Sequence, residues 1–285
     1  MAVLSVQSDV AVGMVGNRAA SFALQRMGIE TWPVDTVRFS NHPGHGEFRG
    51  EVASLEEIAA QLEGIEAHTQ FRDCNALLSG YLGQADIGEL VLQSCARLKS
   101  ANPHALYACD PVIGDDGKIY VRAGIEEFFR DRAISQADIL TPNHFEFSRL
   151  IGENAATLAS VKIAAQNLRQ KMQGGGPRIV LISGLITNET PADSIDLFVV
   201  GPDGTALCRT PRFDRHFSGA GDLLAAVFLA QILARHPPAT AMARAASAVY
   251  AVLNATNAAH KTELDLIAAQ GNLLNPSQSF VSVTL

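Results

Sequence analysis

ALLSGY at Ala76–Tyr81, IGELVLQSCARLK at Ile87–Lys99 and LYACDP at Leu106–Pro111 together decide the fold. Two short apolar runs flank a longer amphipathic segment, which reads as strand, helix, strand. That βαβ unit builds a parallel sheet with helices on its faces. The same alternation continues outward in both directions. Val3–Val6, Glu30–Thr36, Asp138–Leu140 and Ile179–Ile182 read as further strands. Helices are predicted near Asn17–Met27, with Asn17 as N-cap and Gly28 as its stop, and near Ile125–Asp131, Glu146–Ile151 and Leu158–Met172. Ser54 and Glu57 form a capping-box pattern opening a helix to about Leu62.

Ile195–Arg209 reads as a hairpin turning at Gly201-Pro202-Asp203-Gly204, and a shorter turn falls at Gly114–Gly117. After Asp222 the chain reads as helical throughout, broken at Pro237-Pro238 and near Gly271. The expectation is a three-layer α/β/α fold with a mostly parallel central sheet and a small antiparallel edge. No repeat or linker divides residues 1–285, so one domain is expected.

Bulk composition excludes several classes. The 22 basic and 29 acidic residues leave a net charge of −7 with no basic run, which disfavours nucleic acid and anionic membranes as partners. Four cysteines, Cys74, Cys95, Cys109 and Cys208, form no C-x-x-C pair, as expected of reduced thiols. Met1–Ser8 turns polar too early for a secretory signal, and no apolar run approaches the ~18 residues of a membrane span. A cytoplasmic protein is expected.

Ligands of open α/β sheets bind outside the carboxyl ends of the strands. Those ends carry Gln7-Ser8, Gly80-Tyr81, Asp110-Pro111, Thr141-Pro142-Asn143 with Glu146, and Ser183-Gly184. The sharpest segment is Phe217-Ser218-Gly219-Ala220-Gly221-Asp222, which runs into the apolar stretch Leu223–Ala234. Glycines let successive N–H groups converge at a helix N-terminus, an arrangement suited to phosphate or a developing oxyanion. A carboxylate one residue later is placed to take a proton from an attacking hydroxyl. On the residues alone, Asp222 as a simple helix-terminus acid stands level with that reading. Asp110 and Glu146 are candidate Mg²⁺ ligands, directly or through water. His42 and His45 have H-x-x-H spacing but no third ligand, and Gly117-Lys118 lacks the spacing of a Walker A loop.

Gln7-Ser8, Phe39-Ser40-Asn41-His42, Leu78-Ser79-Gly80-Tyr81, Asp110-Pro111-Val112, Pro142-Asn143 with Glu146, and Gly219-Ala220-Gly221-Asp222 occur in an order that resembles the pyridoxal kinases of the ribokinase-like superfamily. The resemblance implies ATP-dependent phosphorylation of the 5′-hydroxyl of pyridoxal, pyridoxine or pyridoxamine. It implies Asp222 as the base and the Gly219, Ala220 and Gly221 amides as the anion hole. Ser8 and Tyr81 would meet the pyridine ring, and Pro43 and Gly44 would lie beside its substituents. Asp110, Thr141, Asn143, Glu146 and Ser183 would serve ATP, with Asp110 and Glu146 holding Mg²⁺. The flap containing Arg209, Thr210 and Phe213 would close over the nucleotide. A K⁺ requirement and a homodimer are carried over on the same basis.

Departures fall mostly around the alcohol pocket. Pro43-Gly44 stands where threonine is usual, His45 replaces a common tyrosine, and Ile119 takes the place of a cysteine seen in some relatives. Phe48 supplies an aromatic usual a few residues on. Sugar kinases usually have aspartate where this chain has His216, and hydroxymethylpyrimidine kinases tend to have cysteine in place of Asp222. Two other readings stay open: a kinase for another small alcohol such as hydroxymethylpyrimidine, and a B6- or nucleotide-binding protein without catalysis.

Overall fold

The computed structural model describes residues 1–285. Its first half contains β1 (Ala2–Val12), α1 (Asn17–Arg26), β2 (Glu30–Asn41), β3 (Gly50–Val52), α2 (Leu55–Thr69), β4 (Cys74–Ser79), α3 (Ala85–Ala101) and β5 (Leu106–Cys109). A small hairpin, β6 (Gly114–Asp115) and β7 (Lys118–Ile119), precedes α4 (Ile125–Phe128). A π-helical turn, Phe129–Ala133, joins α4 to α5 (Ile134–Gln136). Then come β8 (Ile139–Leu140), α6 (His144–Ile151), α7 (Leu158–Lys171), β9 (Ile179–Leu185), β10 (Ser194–Gly201) and β11 (Gly204–Pro211). The chain ends with α8 (Ala220–Leu233), α9 (Pro238–Ala258), α10 (Gln270–Leu274) and β12 (Ser282–Thr284).

Ten strands form one sheet in the order β12-β11-β10-β9-β8-β5-β4-β1-β2-β3. The run from β9 to β2 is parallel throughout. Each strand alternates its apolar side chains between two cores. Val3, Leu78 and Leu181 face one core, together with α1, α8 and α9. Leu4, Leu77 and Val180 face the other, together with α2, α3 and α7. Period-two alternation on strands buried on both sides requires these two layers. Leu223–Ala230 of α8 are all buried, which explains a helix that reads as apolar all round.

The antiparallel edge expected at the Ile195–Arg209 hairpin is present in β10–β12, and β3 adds an antiparallel strand at the other end. Other expectations are corrected. β12 interrupts the predicted all-helical tail, because Ser282–Thr284 pair with the open edge of β11. The break expected near Gly271 falls just before α10, over residues 259–269. β1 and β2 continue well past Val6 and Thr36. A register shift between Gln7 and Asp9 lets them run on as an arm beyond β4, with β3 on its outer side.

Asn17 does not cap α1; Gly16 does. The Asn17 side chain is buried and instead donates to the Val34 carbonyl at 3.0 Å and to Asp35 Oδ1 at 2.8 Å, stitching β2 to the helix start. Ser54 caps α2 as expected, but the helix runs on to Thr69 and the box is half made. Glu57 turns away to Arg38, at 2.8 Å. Full boxes occur at Asn143/Glu146 and Thr157/Ser160.

Candidate active site

A cavity of about 1160 Å³ opens at the carboxyl edge of the parallel strands. Drug-sized sites occupy ~300–1,000 Å³, so this one has room for a nucleotide and a small second molecule together. Sheet order arranges its lining. Ser8, Pro43, Gly44 and Tyr81 belong to the β1, β2 and β4 side. Ser183, Thr210 and Phe213 belong to the β9 and β11 side, with Asp110, Thr141, Asn143 and Glu146 between.

Gly219 is the N-cap of α8, at φ 88°. A Cβ there would lie 2.0 Å from the Met14 carbonyl oxygen, so only glycine permits the turn. The three turn amides are not equivalent. Ala220 N–H donates back to the Phe217 carbonyl at 3.3 Å, while the N–H groups of Gly219 and Gly221 have no partner within the protein. Asp222 sits in the first helical turn, half-buried at the cavity wall. Burial raises its carboxyl above the ordinary aspartate range, and the N–H groups of Gly16 and of Asp222 itself act against that rise.

Asp110 follows β5 and is buried. Its Oδ1 accepts the Thr141 hydroxyl at 2.8 Å, and no protein group donates to Oδ2. Burial first, and then the charge of Asp222, push its carboxyl up to about 7. Glu146 is also buried and raised, by burial and then by Asp110. Both of its oxygens are engaged. Oε2 accepts Asn143 N–H at 2.8 Å, and Oε1 accepts Ile113 N–H at 2.9 Å and Gly114 N–H at 3.4 Å. Asn143 returns a bond from Nδ2 to the Gly114 carbonyl at 2.8 Å. Glu146 and Asn143 therefore fasten the β6–β7 hairpin to the start of α6, and Asp110 is the carboxylate with a free oxygen.

Of the residues that the resemblance assigns to catalysis, the alcohol or ATP, Arg209 alone lies off the cavity. Its guanidinium is held in a two-pronged pair with Asp196, at 2.7 and 2.8 Å. The cavity instead takes Arg212 and Arg215 as its only basic side chains apart from histidines, against six carboxylates in the lining. Arg215 lies over the Phe217 ring at 5.3 Å. In the apolar wall, Phe213 and Phe217 have sequence signals but Tyr250 has none. Phe213 stacks on Tyr250 of α9 at 5.3 Å and meets Phe217 edge-on at 5.5 Å. Nothing in the alanine-rich α9 sequence marks Tyr250 as facing a ligand space. No group of three His, Cys, Asp or Glu side chains is assembled as a metal site, and His42 and His45 are no exception.

Solved structures share this architecture over essentially the whole chain. The pyridoxal kinase of Leishmania donovani in complex with ADP and pyridoxine superposes with a TM-score of 0.90 at 30% identity, covering 100% of this chain and 99% of that one. The pyridoxal kinase of Entamoeba histolytica does so with a TM-score of 0.88 at 26% identity, covering 99% and 98%. The fold and its cavity thus define a small-molecule kinase of the ribokinase-like class. A family model described as phosphomethylpyrimidine kinase matches residues 49–265. Curated pyridoxal kinases of Granulibacter bethesdensis and Deinococcus radiodurans are 44% and 42% identical, each over 98% of this chain and 98% and 95% of their own. The chain belongs to the pyridoxal kinase family.

Proposed function

We propose that this protein transfers the γ-phosphate of ATP to the 5′-hydroxyl of a B6 vitamer, forming the 5′-phosphate. The observation that carries this reading is the position of Asp222. It stands directly behind two unpartnered glycine amides, in one cavity with Asp110 and with the Ser8–Tyr81 end of the sheet. Asp222 takes the hydroxyl proton as the oxygen attacks phosphorus in line, and the β–γ bridging oxygen leaves with ADP. Gly219 and Gly221 N–H groups face the charge on the transferring phosphoryl. Ser8 and Tyr81 orient the pyridine ring, beside Pro43 and Gly44. Ser183, Thr210 and Phe213 line the nucleotide end, where Arg212 and Arg215 offset phosphate charge.

The donor set fits Mg²⁺. Magnesium is commonly held by one or two carboxylates, with substrate phosphates and water completing the shell. Asp110 Oδ2 has no protein donor and is free to meet a cation in the cavity. Asp110 would hold the ion directly, and Glu146, whose oxygens are occupied by backbone N–H groups, through water. When bound, the ion would neutralise phosphate charge during transfer. We further propose that residues 1–285 act as one kinase domain, as a homodimer in the cytoplasm, with K⁺ as the monovalent ion. No helix is long and apolar enough to cross a membrane.

The test is ATP-to-ADP turnover with Mg²⁺ and K⁺, comparing pyridoxal, pyridoxine, pyridoxamine and hydroxymethylpyrimidine, with product mass as confirmation. The expected product is a B6 5′-phosphate. The family-model description favours one alternative, phosphorylation of hydroxymethylpyrimidine, and preferential turnover of that substrate would replace the reading. ATP binding without turnover on any of the four would point to a binding protein.

A further inference from the structure

Three residues that touch the cavity, His42, Pro43 and Gly44, sit on a turn whose far end is anchored to β2 by the Phe39–Phe48 ring contact at 4.8 Å. Every residue from Pro43 to Arg49 is exposed, so no buried side chain holds it. Its hydrogen bonds are local. Gly44 N–H donates to His42 Nδ1 at 3.1 Å, His45 N–H to the His42 carbonyl at 3.0 Å, and Asn41 Nδ2 to the Glu47 carbonyl at 3.2 Å. One polar contact leaves the loop for a distant part of the chain: His45 Nε2 lies 2.8 Å from Glu263 Oε1.

Glu263 is on the segment between α9 and α10, and neither it nor His45 lines the cavity. Its second oxygen accepts Met14 N–H at 3.4 Å. A Cβ at Gly13 would come within 2.7 Å of that oxygen, so the carboxylate is pressed against the β1–α1 loop. That loop also supplies the Gly16 N–H acting on Asp222 and the Met14 carbonyl packed on Gly219. The Glu263 backbone bridges to Ser218, the residue before Gly219. One carboxylate thus touches the roof of the Ser8 end, the loop beneath Asp222 and the approach to the glycine turn.

We propose that the His45–Glu263 pair is a positioning clasp, which holds the 42–45 turn over the alcohol pocket in register with the Gly219–Asp222 turn. The proposal rests on the kinase reading above. Without the clasp the turn samples open positions, so alcohol binding must draw on a smaller closed population. An exposed pair of this kind contributes on the order of 1 kcal/mol, or about fivefold in an equilibrium.

The experiment compares His45→Ala, His45→Gln, Glu263→Gln and the double variant His45→Ala/Glu263→Gln. KM is measured for whichever alcohol is phosphorylated, with KM for ATP and kcat, and amide exchange is followed at Gly44–Gly46. The expected result is a three- to tenfold rise in alcohol KM for His45→Ala and Glu263→Gln, no larger in the double variant. His45→Gln, which keeps an N–H donor, falls between wild type and His45→Ala. ATP KM and kcat stay within twofold, and exchange at Gly44–Gly46 quickens several-fold. Multiplicative effects in the double variant, a loss confined to kcat, or unchanged exchange would overturn the clasp. The exchange measurement needs no turnover, so it still decides the contact if no B6 vitamer is a substrate.

Discussion

Replacing Asp222 with asparagine separates catalysis from folding. The side chain keeps its shape and an oxygen for the Gly16 N–H, but no longer accepts a proton at neutral pH. General-base catalysis is worth roughly 10²–10⁴ in rate, or about 3–5 kcal/mol of barrier. The folding cost is much smaller. Asp222 loses its favourable interaction with the N-terminus of α8, about 0.3–1 kcal/mol. Against that, the variant removes a charge that burial already disfavours and that also raises Asp110. Stability should therefore change by less than about 1 kcal/mol. With Asp222 neutral, Asp110 ionises at lower pH, so the KM for ATP should not rise. The assay is ADP formation at saturating ATP and vitamer, alongside a thermal melt. The expected pattern is kcat down at least a hundredfold with the melting temperature nearly unchanged. A kcat within tenfold of wild type in a folded variant would refute the base assignment.

Asp110 binds its proton more tightly folded, at about 7, than unfolded, at an ordinary 3.8. The folded state therefore holds more protons between those values, and this group withdraws stability as pH rises through that window. In thermal melts with chelator present, Asp110→Asn should gain on wild type from pH 4 to pH 7.5 and abolish turnover; a pH-independent difference would contradict this. Gly219→Ala must place a Cβ against the Met14 carbonyl in left-handed backbone, at about 1–2 kcal/mol plus the steric shift. It should lower kcat about 10²-fold, and near-normal turnover would show that the turn is not needed as it stands. Asp138 lies far from the cavity, fully buried between Lys99 Nζ at 2.6 Å and the N–H groups of Tyr107 and Gly176, both at 2.7 Å. Asp138→Ala should cost ~3–5 kcal/mol in denaturant unfolding and leave turnover per folded molecule unchanged.

The layered fold was legible in the sequence, because strands buried on both faces must alternate between two cores and short runs joined by helices must pair in parallel. The Gly219–Asp222 turn was legible too, since the requirement for glycine is local backbone geometry. The capping box at Asn143 and Glu146 has the same local origin, although the charge of Glu146 in the sequence points first to a metal rather than to a cap. What local pattern left open was decided by long-range pairing. Ser282–Thr284 became a strand only because β11 offered an open edge, and Asn17 left its cap because Val34 and Asp35 lay within reach. Glu57 left its box for Arg38. Arg209 turned from the cavity because Asp196, its cross-strand neighbour, is buried and needs a partner. Tyr250 reaches the cavity, and Glu263 the β1–α1 loop beside it, from the far end of the chain, where spacing in sequence holds no record of proximity in space.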